Sequence, residues 1–278
     1  MRLGIHIRIA GGLVRALDRA SELRCEAVQL FSGNPNGWAR RPVDIEQAAL
    51  FRGRAAELGI SPIILHTPYL LNLASPDDDV WGKSVDALAD AVARAPVLAS
   101  DRVVTHIGSH RGSGLEAGTR RICEALRIAL DAAEGVWVDL ELGAGSGASI
   151  GSRFEHIADI LGLLGSDAGR VGICIDTAHL WGSGYDISTF EGVDKVFGHI
   201  ERCIGLNKLQ VIHLNDTPAR LGSRVDRHQH IGRGSIGVEG FRAILADART
   251  TQLPGIIETP GDGIEADREN LAVLRGLM

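Results

Sequence analysis

A closed parallel α/β barrel of the (β/α)8, or TIM-barrel, class is the fold the sequence predicts. Three observations point there. Eight short apolar runs recur along the chain, a stretch with helical spacing follows each, and no linker or low-complexity tract breaks the alternation. A length of 278 residues is large for one domain but ordinary for such a barrel, so one domain is expected over residues 1–278. With 45% hydrophobic residues the chain can bury a large core without disulfides.

The units run in order. LGIHI (3–7) precedes VRALDRASEL, and AVQLF (27–31) precedes IEQAALFRGRAAELG. PIILH (62–66) precedes VDALADAVARAPVLA, where Pro96 is expected to kink or split the helix. RVVTH (102–106) leads to EAGTRRICEALRIALDAA, and VWVDLE (136–141) to FEHIADILGLLG. VGICID (171–176) precedes FEGVDKVFGHIERCIG, LQVIH (209–213) precedes VEGFRAILADA, and GIIE (255–258) precedes EADRENLAVLRGL. An open doubly wound sheet is the runner-up, but it rarely needs eight uninterrupted units.

Composition narrows the function classes. No run of roughly eighteen apolar residues is free of charge, so no membrane span is expected. The N-terminal MRLGIHIRIAGG lacks the apolar stretch of a signal peptide. Cys25, Cys123, Cys174 and Cys203 are isolated and read as reduced, mostly buried thiols of a cytoplasmic protein. The formal charge of −6 argues against a general nucleic-acid coat, unless bound cations change the sum. Lys83, Lys195 and Lys208 are the only lysines; the remaining basic residues are arginines, which grip phosphates in a fixed planar geometry.

Polar residues stand where the runs end: His66, His106, Glu141, Asp176, His213 and Glu258. In a barrel these ends open on one face, the face that carries chemistry. Any one alone reads as a hydrogen-bonded structural residue, but six at equivalent positions are hard to dismiss. Three converging carboxylates repel unless cations or protons intervene. His179 lies three residues after Asp176 and, if a helical turn begins there, points into the same cavity. Asp226 and His228 are two apart and share one side of an extended loop. Imidazoles with carboxylates suit zinc, with manganese or iron as alternatives. Nine donors exceed one tetrahedral ion and fit two or three ions if a carboxylate bridges. Three divalent ions would offset the formal −6 and leave a positive cleft for a phosphodiester. His110 is expected to order its loop, and His199 to lie at the surface or in packing within a helix. ELGAGSG, GSGYD and HIGRGSIG border the same face, but none is a nucleotide fingerprint.

Over essentially its whole length the chain resembles the metal-dependent endonuclease IV family of DNA-repair enzymes. The segments are QLFSGNP, HTPYLLNLAS, HIGSHRGSG, GICIDTAHLWGSGYD, HLNDTPARLGSRVDRHQHIGRGSIG and IIETPGDG. The resemblance implies three zinc ions, with manganese in one or more positions as an alternative. His66 and His106 fall in one ion's shell, with Glu141 as the bridging carboxylate. Asp176, His213 and Glu258 match the second ion's ligands, and His179, Asp226 and His228 the third's. It further implies incision of damaged double-stranded DNA 5′ of an abasic site, leaving a 3′-hydroxyl and a 5′-deoxyribose phosphate. Glu258 is the candidate to position or deprotonate the attacking water, and Glu141 could share that work.

Departures concern substrate handling. The bridging glutamate usually opens an acid-Asn-Thr-Ala-Gly-Gln-Gly run; here Glu141–Gly147 reads ELGAGSG, without the amide side chains. Ile107 replaces a proline, and Asn36 stands where a DNA-inserting arginine is usual. Tyr69 matches the aromatic residue beside the abasic gap. Trp38, Arg111, Arg227 and Arg233 complete the candidate DNA contacts, with Arg40, Arg41 and Arg224 nearby. A monomer without an obligate protein partner is expected, because the active face must stay open to a duplex. Two rivals compete. A sugar isomerase or epimerase on the same barrel would need only Glu141, Asp176, His213 and Glu258. A non-catalytic lesion binder would hold closed, structural zinc.

Overall fold

The computed structural model describes residues 1–261 and 263–278; Asp262, within IIETPGDG, lies outside the described residues. Eight parallel strands close into a barrel in chain order: β1 (Arg2–His6), β2 (Ala27–Phe31), β3 (Ile63–His66), β4 (Ser100–His106), β5 (Trp137–Glu141), β6 (Val171–Asp176), β7 (Leu209–His213) and β8 (Pro254–Ile257). β1 pairs with both β2 and β8, so no sheet edge is left unpaired. The outer layer comprises α1 (Leu13–Glu22), α2 (Ile45–Leu58), α3 (Asp78–Arg94), α4 (Leu115–Leu130), α5 (Phe154–Leu164), α7 (Phe190–Cys203), α8 (Gly237–Ala246) and α9 (Ile264–Leu277), while the short, buried α6 (Thr177–Gly182) follows β6 directly at the end of that strand.

The period of two along each strand divides its side chains between two cores. Outward residues such as Val28, Leu65, Val103, Val138 and Ile212 join the helices in one continuous apolar layer, with Phe51, Phe154 and Phe241 fully buried in it. Burying each such ring contributes roughly 2–3 kcal/mol. Inward residues Ala27, Ile64, Val104, Cys174, Val211 and Ile256 fill the barrel's centre. Two positions further along, β3, β4, β6 and β7 end in His66, His106, Asp176 and His213. The apolar plug thus forms the floor on which the polar strand ends stand.

Most expected elements appear within a few residues, and the differences have local causes. β1 spans residues 2–6 rather than 3–7, so His6, not Ile7, is its last residue. Glu258 stands one residue past β8; its backbone N–H donates to Asn215 Oδ1 (2.8 Å) instead of to a neighbouring strand. α3 begins at Asp78, earlier than its apolar periodicity, because Asp77 accepts from the N–H groups of Asp79 and Val80 while Asp78 and Asp79 complement the helix dipole. It ends at Arg94, and Pro96–Leu98 forms a separate 3-10 turn, as the proline requires. Among the described residues no helix is long and apolar enough to cross a membrane.

Candidate metal centre

Glu141 is buried at the end of β5 and faces imidazoles on several sides. Its Oε2 lies 3.0 Å from His66 Nε2 and 3.6 Å from His106 Nδ1; its Oε1 lies 3.3 Å from His213 Nδ1. His213 Nδ1 also stands 3.4 Å from Glu258 Oε2 and 3.9 Å from Asp176 Oδ2. On the far side, His228 Nε2 is 3.6 Å from Asp176 Oδ2 and 3.5 Å from Asp226 Oδ1, and His179 Nε2 is 3.2 Å from Asp226 Oδ2.

All nine candidate donors therefore meet in one pocket. Donor atoms within 4.8 Å of one another form three groups: His66–His106–Glu141, Glu141–Asp176–His213–Glu258 and Asp176–His179–His228. Glu141 joins the first two groups, and Asp176 joins the last two. Asp226, on its exposed loop, reaches the third group through His179 and His228.

Local structure aims these side chains. The chain turns from β6 directly into α6, and the Asp176 carboxylate caps that helix by accepting from His179 N–H (3.0 Å). This turn brings Asp176 and His179 to the same cavity. Buried Asn215 donates to Asp176 Oδ2 (2.6 Å) while holding the backbone of Glu258. Buried Asp216 accepts from the N–H groups of Thr217, Gly232, Gly234 and Ile236, knitting the loop that carries Asp226 and His228 back onto β7. A Cβ on Gly234 would lie 2.3 Å from Asp216 Oδ1, so this close approach requires glycine.

The imidazoles are fixed from behind. His66 Nδ1 donates to the Thr67 carbonyl (2.6 Å), His179 Nδ1 to the Leu142 carbonyl (2.9 Å) and His228 Nδ1 to the Glu258 carbonyl (3.0 Å). A carbonyl only accepts, so in each ring Nε2 is the nitrogen left for the pocket. His213 is reversed: Nε2 donates to Gln29 Oε1 (2.9 Å), leaving Nδ1 inward. Such outer hydrogen bonds are what metal-ligating histidines need to hold tautomer and orientation. His213 Nδ1 and His228 Nε2 are buried without a hydrogen-bond partner, as expected of atoms facing a cation position.

Electrostatics favour cations here. Burial raises the cost of ionising Glu141, but His106, His213 and His179 outweigh it and hold the carboxyl well below its ordinary range. Burial likewise works against charge on His213, yet the neighbouring Cys174 sulfur and the facing Glu258 and Glu141 lift it well above the usual imidazole value. His179 is raised in the same way, despite burial, by Asp176, Asp226 and Glu141. For Glu258, burial is again outweighed, here by His213 and His6, and the group is held low. Without ions, His179, His213 and His228 hold a proton more readily than a free imidazole, whereas burial pushes His106 the other way.

Two residues outside the nine belong to this network, buried Gln29 and part-buried His6. His6 Nδ1 lies 2.7 Å from Glu258 Oε1, and Gln29 Nε2 donates to the same oxygen at 2.9 Å. Gln29 therefore links Glu258 to His213. Its inward place in the middle of AVQLF was the available signal.

A cavity of about 450 Å3 opens beside the centre, lined in part by Tyr69, Asn72, Ser109, Arg111, Ala144 and Ser146. Tyr69 is exposed at the rim, 6.0 Å from the His106 ring and 5.1 Å from that of Phe31. The ELGAGSG wall is small-sided: among Gly143, Ala144 and Ser146, only Ser146 offers a polar side chain. His110 orders its own loop, its Nδ1 accepting from the N–H groups of Gly112 and Gly114. The other candidate contacts are more dispersed. Asn36 and Arg227 are exposed, Trp38 packs its loop against the hydrophobic layer, and Arg233 pairs with Glu269 (3.4 Å).

Comparison with known proteins places this geometry. A probable endonuclease 4 of Chloroflexus aurantiacus is 43% identical over all of this chain and 98% of that protein. One of Methanoculleus marisnigri is 45% identical over 99% of this chain and 98% of its own length. The chain belongs to the endonuclease IV family. The solved endonuclease IV structure from Thermus thermophilus superposes with a TM-score of 0.89 at 34% identity, covering 100% of this chain and 98% of that one. A family model described as a xylose isomerase-like TIM barrel matches residues 17–277. A D-tagatose 3-epimerase-like protein shares the fold at a TM-score of 0.72, with 20% identity. The endonuclease IV barrel thus has the architecture of sugar epimerases, while its sequence kinship lies with the nucleases.

Proposed function

We propose that the chain, acting as one domain over residues 1–278, hydrolyses the phosphodiester 5′ of abasic sites in duplex DNA. The products would be a 3′-hydroxyl and a 5′-deoxyribose phosphate. The observation that carries this reading is the gathering of eight donors into overlapping groups, with Asp226 against His179 and His228, beside an open cavity. Membership of the endonuclease IV family supports it. An isomerase would use Glu141, Asp176, His213 and Glu258 and leave His66, His106, His179, Asp226 and His228 without a role.

Three divalent ions fit the donor set, and its imidazole and carboxylate chemistry suits zinc, with manganese as the alternative. His66, His106 and Glu141 would hold one; Glu141, Asp176, His213 and Glu258 a second; His179, His228 and Asp226, with Asp176 alongside, a third. When bound, such ions supply Lewis acidity, easing the loss of a proton from water and drawing charge from phosphate oxygens.

The chain's own residues supply positioning. The cavity beside Glu141 would receive a sugar turned out of the duplex, a motion that costs least where base pairing and stacking are already lost. Tyr69 would cover the vacated space at the rim, and Arg111 would neutralise a backbone phosphate without reading sequence. Glu258, with Oε1 anchored by His6 and Gln29, would orient the attacking water and accept its proton; Glu141 would share this task. Asn36, Trp38, Arg227 and Arg233 would lie along the duplex as outer contacts.

Incubating the metal-loaded protein with duplex DNA bearing one abasic site tests the reading. A nick immediately 5′ of the lesion, with the stated ends, is expected. No nick at any metal loading would refute it.

A further inference from the structure

We propose that Glu155, His199 and Cys203 form a separate binding site for a zinc-class divalent cation, joining α5 to α7 on the helical layer. His199 and Cys203 are four residues apart on α7 and so present their side chains on one helix face. Glu155 lies in the first turn of α5, which packs beside α7. One nitrogen, one sulfur and one carboxylate oxygen from these residues all lie within 4.8 Å of one another. His199 Nε2 is 3.2 Å from Glu155 Oε1.

The site has a built surround. The His199 ring meets Phe154 edge-on at 5.1 Å and lies 6.0 Å from Tyr185, and the Tyr185 hydroxyl accepts from the Phe154 N–H (3.4 Å). These contacts hold the imidazole in place on the α5–α7 seam. An ion pair between Glu155 and His199 alone would not need the thiol beside it. Cys203 is also the part-buried cysteine, while Cys25, Cys123 and Cys174 are buried. A cavity of about 460 Å3, lined also by Tyr185, Asp186, Lys195 and Arg202, brings solvent to the His199 side of the cluster. Mixed nitrogen, sulfur and oxygen donors select a borderline-soft ion; a hard cation such as magnesium would reject the thiolate. This site is independent of the nuclease reading.

Cobalt(II) tests the assignment in the full-length protein after the barrel centre has been filled with zinc. Thiolate-to-cobalt charge-transfer absorption should appear in the wild type and vanish in Cys203→Ser. His199→Ala and Glu155→Gln should each weaken cobalt binding at least ~10-fold. Zinc should also slow alkylation of Cys203 in the unmodified chain by a similar factor, a readout that needs no variant. Abasic-DNA cleavage should be unchanged in all three variants. Absence of the thiolate band, its persistence in Cys203→Ser, or alkylation indifferent to zinc would overturn the proposal.

Discussion

Gln29 Oε1 accepts the Nε2 proton of His213 at 2.9 Å across the mouth of the barrel. The same amide donates to Glu258 Oε1, which fixes its orientation and couples two donors of one cation position. Replacing it with leucine keeps the bulk and removes both bonds. Gln29→Leu is expected to lower affinity for the central ion 10- to 100-fold, as losing such outer hydrogen bonds does. Titration against a competing chelator measures this, and unchanged affinity would count against the role assigned to Gln29.

Glu258 stands just past β8, with its carboxylate anchored on one oxygen and turned toward His213 with the other. Glu258→Gln preserves shape and removes the proton acceptor. Single-turnover cleavage of abasic duplex should fall by roughly 10²–10⁴, the range for losing a general base. DNA affinity should change far less. Single-turnover rates equal to wild type would reject the assignment.

Metal uptake should depend on pH in a set direction. In the ion-free protein, His179, His213 and His228 are raised above 6.5: burial opposes the shift, but Asp176 outweighs it at His179 and His228, and Cys174 with Glu258 does so at His213, so the folded chain holds these imidazole protons more tightly than the unfolded one. Their contribution to apo stability is complete below 6.5 and is lost as pH climbs through the raised values. A cation must displace those protons, so binding should release them and tighten as pH rises. Calorimetry in buffers of different ionisation enthalpy counts the released protons. Zinc binding without proton release would contradict this picture.

Asp139 lies deep in β5, fully buried, with both carboxylate oxygens lacking hydrogen-bond partners and Arg102 Nη1 3.6 Å away. Burial, only partly offset by Arg102, pushes its pKa from 3.8 up to about 7. The folded chain therefore holds this proton more tightly than the unfolded one. Its stabilising effect is complete below 3.8 and is lost as pH rises through about 7, a few kcal/mol at most. Asp139→Asn should thus gain stability relative to wild type as pH rises from 5 to about 8 in urea denaturation. A difference that stays flat or shrinks over that range would show that Asp139 is not the buried acid described.

The barrel was legible because apolar runs of strand length alternate with helical periodicity, and β2, β6 and β7 even kept their limits. The nine donors were legible because each closes a run or stands two or three residues from another donor. What escaped lay where local pattern is silent. Gln29 is a lone polar residue inside an apolar strand, and its purpose appears only when β7 and β8 close the barrel around it. His6 was obscured by one residue of strand register, which made Ile7 look like the end. Asn215 and Asp216 were visible within HLND, but a four-bond carboxylate clamp depends on a loop returning from twenty residues away. The abrupt start of α6 depends on the Asp176 cap, and its six residues are too few for a periodic signal.

Anomalous diffraction from crystals grown with excess zinc measures the central claim most directly. Three peaks are expected in the pocket: one between His66, His106 and Glu141, one by His213 and Glu258, and one by His179 and His228, with an exchangeable solvent position facing the cavity. A single ion fully enclosed by protein, or no ion among these side chains, would contradict the account.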